Sequence, residues 1–161
     1  MNSAFALSIC AEQRKIIRMT KLILNTDGGA RGNPGPAGVG VVLVDESGAV
    51  LKEEKKFLGV ATNNEAEYQA ALLGLETARA LLGGQVGAAN LEHRLDSELV
   101  VKQLRGEYKI KEARLRDWAA KVKEVAANFN QVNWIHVRRE QNARADELAN
   151  EAMDAGTMAQ A

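Results

Sequence analysis

The sequence contains a single cysteine, no excess of either charge and no long apolar run. Cys10 has no partner for an internal disulfide, which fits a reducing compartment and leads to the expectation of a cytoplasmic protein. It lies in a poorly patterned stretch, which argues against a thiolate catalyst. Lys plus Arg equals Asp plus Glu at 21 each, so the molecule as a whole carries no field that would draw a polyanion. Any such partner needs a local basic patch. The apolar run AFALSICA near the N-terminus is too short to cross a bilayer and no basic residue precedes it, so neither a membrane span nor a secretory signal is expected. At 161 residues the chain fits one domain with a real core, expected as a monomer. The domain is placed at residues 21–155. Residues 1–20 read as an extension or a misplaced start, with Met19 just before the first convincing strand, and residues 156–161 (GTMAQA) read as a small polar tail that frays.

The pattern along the chain alternates between two periods. KLILNTD (21–27) reads as a short apolar strand, and AGVGVVLVDESGAVLKEEKKFLG reads as two more around a turn at Glu46, Ser47 and Gly48. TNNEAEYQAALLGLETARALLGG is helical and stops on glycine. A strand ending LEHRLD follows, then a brief helix SELVVKQLR stopped by Gly106. An amphipathic helix next sets Leu115, Trp118, Val122, Val125 and Phe129 on one side. QVNWIHVRR is a fifth strand and NARADELANEAM a last helix. The order βββαβααβα predicts an α/β fold: a mixed five-stranded sheet with helices packed on it, strands four and five running parallel to strand one beside an antiparallel meander. Functional residues of such sheets gather at the carboxyl ends of central strands, where Asp27 and Asp96 are expected.

Four acids stand out by position. At 100° per residue Glu65, Gln69 and Glu76 share the polar face of the first helix, whereas Glu67 lies opposite, with Ala70, Ala71, Gly74, Ala78 and Leu81. Asn64 and Glu67 resemble a capping box, but Thr62 with Glu65 makes a better one. An ionised carboxylate on an apolar face is costly unless paired or metal-bound. Asp96, taken alone, is an ordinary helix N-cap. Asp146 lies between the polar face of the last helix (Glu147, Glu151, Asp154) and its apolar face (Leu148, Ala149, Ala152). As a set, Asp27, Glu67, Asp96 and Asp146 come from four elements whose ends meet at one sheet edge, and four such carboxylates repel unless cations neutralise them. Hard divalent ions suit oxygen ligands, and Mg²⁺ fits best. NTDGGARGNPGP (25–36) is not a phosphate-cradling P-loop, because it lacks the closing Gly-Lys-Ser/Thr and leads into a strand. Its glycines let backbone approach a sugar-phosphate chain, and Asn33, Pro34 and Gly35 make the turn.

TDGGARGNPGPAG, TNNEAEY, LDSELV and ARADELAN, in this order and on these elements, strongly resemble the type 1 ribonuclease H family over about Lys21 to Ala155. The resemblance implies a ribonuclease H-like sheet and metal-dependent hydrolysis of the RNA strand of RNA/DNA hybrids by two Mg²⁺ ions, with Mn²⁺ as a substitute. It implies Asp27, Glu67, Asp96 and Asp146 as metal ligands and catalytic residues. Gly28 and Asn33 would contact RNA backbone, and Thr62, Asn63 and Asn64 the hybrid, with Thr62 facing a DNA-strand phosphate.

Three departures from the family pattern carry their own expectations. Many relatives have a histidine in a loop before the last acid. RREQNARAD lacks one, and Arg139 is the candidate for its place, acting electrostatically because arginine cannot serve as a base; a solvated charge is the alternative. His93 and His136 fall in strand patterns and are read as structural or exposed. The basic protrusion of some relatives is reduced to GEYKI, although eight basic residues stand against three acidic ones from Lys102 to Lys123, enough for a partly compensating positive surface. Glu98 occupies a position where many relatives carry a glutamine that reads the minor groove. It is counted with the substrate contacts.

Overall fold

A computed structural model describes residues 21–160. The expectations for residues 1–20, including Cys10 and the start of the chain, and for Ala161 lie outside the described residues. The elements are β1 (Lys21–Ala30), β2 (Gly35–Asp45), β3 (Val50–Ala61), α1 (Asn63–Leu82), β4 (Asn90–Leu95), α2 (Glu98–Leu104), α3 (Ala113–Ala126), β5 (Gln131–His136) and α4 (Ala143–Gln160), with 3₁₀ turns at Gly83–Ala88 and Arg139–Asn142. The sheet order is β3-β2-β1-β4-β5. β1, β2 and β3 form an antiparallel meander, and β4 pairs parallel with both β1 and β5.

Alternation along the strands sorts the two faces. Leu22 and Leu24 of β1, with Val41 and Leu43 of β2, join Tyr68, Leu75 and Ala78 of α1 and Leu115 and Val122 of α3 in the main core. Val42 faces the other way, onto Ala145 and Leu148 of α4. Because β2 is covered on both sides, it is buried almost continuously from Ala37 to Leu43 rather than at every second residue.

Two boundaries and two residue placements differ from the sequence reading. β1 does not end at Asp27 but runs on to Ala30, because its pairing with β2 continues to Ala30 and Ala37. α4 runs past Ala155 to Gln160, carrying the residues expected to fray. Gly156 lies so close over the Phe57 ring that a Cβ there would overlap it, so this part of the helix packs on β3. Glu65, expected on a polar face, is only 7% exposed. It accepts from the Thr62 backbone at 2.9 Å and pairs with Arg114 of α3 at 3.0 Å, which satisfies both oxygens. Leu81, expected on the core side, is partly exposed instead.

Candidate active site

β1 is paired with β4 only as far as Asn25 opposite Arg94, whereas its pairing with β2 continues. The sheet therefore splits just before Asp27, and that carboxylate stands at the fork rather than at a strand end. Two glycines beside it admit the helices. A Cβ on Gly28 would collide with the Ala66 carbonyl of α1, and one on Gly40, opposite Asp27, would collide with the Ala145 carbonyl of α4. The first approach delivers Glu67 and the second delivers Asp146, one residue along each helix. Asp96 follows β4 directly. Ser97, not Asp96, caps α2, its hydroxyl accepting from the Val100 N–H at 3.3 Å. Thr62 with Glu65 closes the capping box of α1, so capping requires neither Asp96 nor Glu67.

Carboxylate oxygens of Asp27, Glu67 and Asp96 lie within 4.8 Å of one another. Asp146 lines the same cleft of roughly 460 Å³. Burial, the Asp96 charge and the nearness of Asp146 push the Asp27 carboxyl up to about 8. Glu67 is raised well above the usual carboxylate range by burial and by the charges of Asp27 and Asp96, partly offset by the Gly28 N–H that it accepts. One Glu67 oxygen, Oε2, is buried with no hydrogen-bond partner. Buried acceptors this close without donors are the wrong chemistry for a self-contained cluster and the right chemistry for a hard cation. The donor set therefore fits a divalent metal, with Asp27, Glu67 and Asp96 as the group able to hold it and Asp146 alongside.

The other expected residues divide. Gly28, Asn63, Asn64 and Arg139 line the cleft, and Arg139 Nη2 lies 3.5 Å from Asp146 Oδ1. Asn33 and Asn63 link the β1–β2 turn to α1: Asn33 Oδ1 accepts from the Asn63 N–H at 3.1 Å, and Asn63 Oδ1 accepts from the Ala30 N–H at 2.9 Å. Glu98 stands apart from the cleft, exposed and paired with Lys102 at 2.9 Å. His136 is exposed, and His93 is fully buried. Arg31 and Asn150 also line the cleft without having been singled out from the sequence. Asn150 sits one turn after Asp146, a spacing that could have marked it.

Comparison with known proteins bears on the family and the fold. A family described as "Reverse transcriptase-like" matches residues 25–152. The crystal structure of LC11-RNase H1 in complex with an RNA/DNA hybrid superposes with a TM-score of 0.81 at 45% identity, covering 84% of this chain and 99% of that one. The chain belongs to the type 1 ribonuclease H family. Ribonuclease HI of Halobacterium salinarum is 44% identical over 128 residues, 80% of this chain and 62% of that protein. A bifunctional protein of Mycobacterium tuberculosis is 42% identical over 142 residues, 88% of this chain but 38% of that protein. The chain thus spans well under half of the mycobacterial relative's length. Within the ribonuclease H family the mixed sheet and element order found here are the shared fold, and the carboxylate cleft lies at the fork of that sheet.

Proposed function

We propose that this protein is a metal-dependent endoribonuclease that hydrolyses the RNA strand of RNA/DNA hybrids. The observation that carries the reading is the set of mutually close carboxylates of Asp27, Glu67 and Asp96, together with a buried, unpartnered Glu67 oxygen. Family membership and the hybrid bound to LC11-RNase H1 support the substrate class. Asp27, Glu67, Asp96 and Asp146 hold the metal, and Mg²⁺, with Mn²⁺ as a substitute, suits their all-oxygen chemistry. Two bound ions would clamp the scissile phosphate, activate the attacking water and stabilise the leaving 3′ oxygen, giving 5′-phosphate and 3′-hydroxyl ends.

The remaining roles belong to the chain itself. Gly28, which lines the cleft beside the acids, contacts the RNA backbone together with Asn33. The side-chain oxygens of Asn33 and Asn63 are occupied internally, which leaves their NH₂ groups as outward donors. Asn63 and Asn64 meet the hybrid, where the 2′-hydroxyl in the wide minor groove marks RNA. Thr62, at the start of α1, faces a DNA-strand phosphate. Arg139 acts on Asp146 and on the cleaved strand through its charge alone. Glu98 accepts from a 2′-hydroxyl through the oxygen that its pair with Lys102 leaves open. Among the described residues no helix is long and apolar enough to cross a membrane, and we propose a cytoplasmic monomer.

The test is incubation with labelled RNA/DNA hybrid, RNA duplex and DNA duplex, each with Mg²⁺, Mn²⁺ or chelator. Hybrid-only, metal-dependent cleavage that disappears in Asp27→Asn is the expected result. Hybrid binding without cleavage under any metal would make the protein a binding module instead.

A further inference from the structure

The four acids sit on four different elements, yet three of those elements are tied at one residue that carries no catalytic group. Thr26, immediately before Asp27, is fully buried. Its hydroxyl lies 2.9 Å from Nε2 of His93, on β4 three residues before Asp96. Its carbonyl accepts from Asn142 Nδ2 at 2.9 Å, and Asn142 stands one helical turn before Asp146. Its methyl group meets α1 at Gly74, where an added Cβ would come within 2.6 Å of Thr26 Cγ2. Gly74 lies two turns after Glu67 on the same face of α1. β1, β4 and α1 thus meet at Thr26, and the 3₁₀ turn that leads into α4 holds its carbonyl.

Stability alone gives a poor account of this arrangement. His93 is fully buried with Nδ1 unpartnered, and Asn142 is 1% exposed with Oδ1 unpartnered. Each leaves a polar atom without a protein partner, at a cost that an apolar side chain of similar volume would avoid. Both are placed instead where their remaining polar atom fixes Thr26 from a different element. Buried hydrogen bonds set a distance and an angle more narrowly than apolar contact does, and a metal site tolerates little error in either.

We propose that His93 and Asn142 are positioning residues that act through Thr26 to hold Asp27, Asp96 and Asp146 at metal-binding spacing. The inference rests on the metal-site reading above. Neither residue touches the substrate, and each acts through a hydrogen bond to Thr26.

The test uses the full chain with Thr26→Val and His93→Leu combined, which removes both polar partners at nearly constant volume and so leaves stability close to that of the parent. Mn²⁺ alone is titrated calorimetrically, Tm is measured with chelator, and hybrid cleavage is resolved into kcat and KM. The expected result is an unchanged Tm, Mn²⁺ affinity lowered by about 10–100-fold, and a fall in kcat with KM for the hybrid retained. Parent-like Mn²⁺ affinity in the folded double variant overturns the network. If that variant unfolds, His93→Gln and His93→Leu are compared: a nitrogen donor that restores Mn²⁺ affinity where leucine does not supports positioning, and equal affinities overturn it. A parent protein that binds no Mn²⁺ overturns the metal reading and the network together, whereas parent binding that survives the substitutions overturns the network alone.

Discussion

At the scale of single residues, Asp27 and Glu67 are in conflict with their own surroundings. Both are buried beside other carboxylates, and both are raised above their ordinary values. A carboxyl raised in the folded state keeps a proton that the unfolded chain releases, so its contribution is full below the unfolded value of 3.8 and is lost as pH climbs to about 8 for Asp27. His93 works in the opposite sense. Burial lowers it to about 3, so acid favours the unfolded chain below the ordinary histidine value of 6.5. The two slopes separate above 6.5. We expect the chelated protein to lose Tm as pH rises from 6.5 to about 8, and scanning calorimetry with Mg²⁺ to recover most of the loss. A flat chelated profile over that window would show that the acids do not repel.

Asp27→Asn removes the same repulsion. The variant should melt above the parent in chelator at the alkaline end of that window while losing Mg²⁺-dependent cleavage by more than the roughly 100-fold typical of removing a mere supporting residue. A variant that loses activity and stability together would point to a structural defect. The sequence marked Glu67 because a charge stood on an apolar helical face. It misjudged Glu65, because its pairing with Arg114 of α3 crosses 49 positions of chain and leaves no trace in the periodicity of α1.

At the scale of elements, glycines set the distances. The close contact of β2 with α4 at Gly40 involves the Ala145 carbonyl, which is backbone and cannot swing aside as a side chain can. Gly40→Ala should push α4 outward, costing about 1–3 kcal/mol, or a Tm drop of roughly 2–12 °C for a chain of this size. Since Asp146 rides on the first turn of α4, Mn²⁺ affinity should fall in the still-folded variant. Affinity that stays at the parent value would show that Asp146 is placed independently of this contact. Gly40 is not itself among the expected substrate contacts, and its added Cβ meets α4, so the effect reads the helix position. Element order and type were legible from two periods and a few stop signals. The ends of β1 and α4 were not, because they depend on the β2 ladder and on Phe57, both supplied by other parts of the chain.

At the scale of the whole molecule, zero net charge hides an uneven distribution. The acids converge on the cleft, and the basic excess lies along α2, α3 and their connection. There Lys102, Arg105 and Arg114 are ion-paired. Arg116 is committed to the carbonyls of Ile110 and Lys111 at 3.2 and 2.8 Å, shaping the turn, and Lys121 lies over the Trp118 ring. Lys109 and Lys111 are exposed and, among the described residues, in no ion pair. If they meet phosphates, hybrid affinity should fall about tenfold or more between 50 and 200 mM salt. The double variant Lys109→Glu, Lys111→Glu should bind more weakly with a shallower salt slope. Equal slopes by fluorescence anisotropy would remove this surface from the interface.

The sequence by itself singled out the four acids that line one cleft and determined how the elements follow one another. Helical and strand periods report the face on which a residue sits, and the four acid motifs came in the order of one family. Only the tertiary structure decided that Asp27 stands at a fork in the sheet, that Ser97 rather than Asp96 caps α2, and that Thr26 joins His93 from 67 residues away and Asn142 from 116. The reason is physical. A side chain's face is set by local backbone geometry, whereas the distance between two side chains on different elements is set by strand pairing and by how closely glycine lets backbones approach, and no local pattern records either.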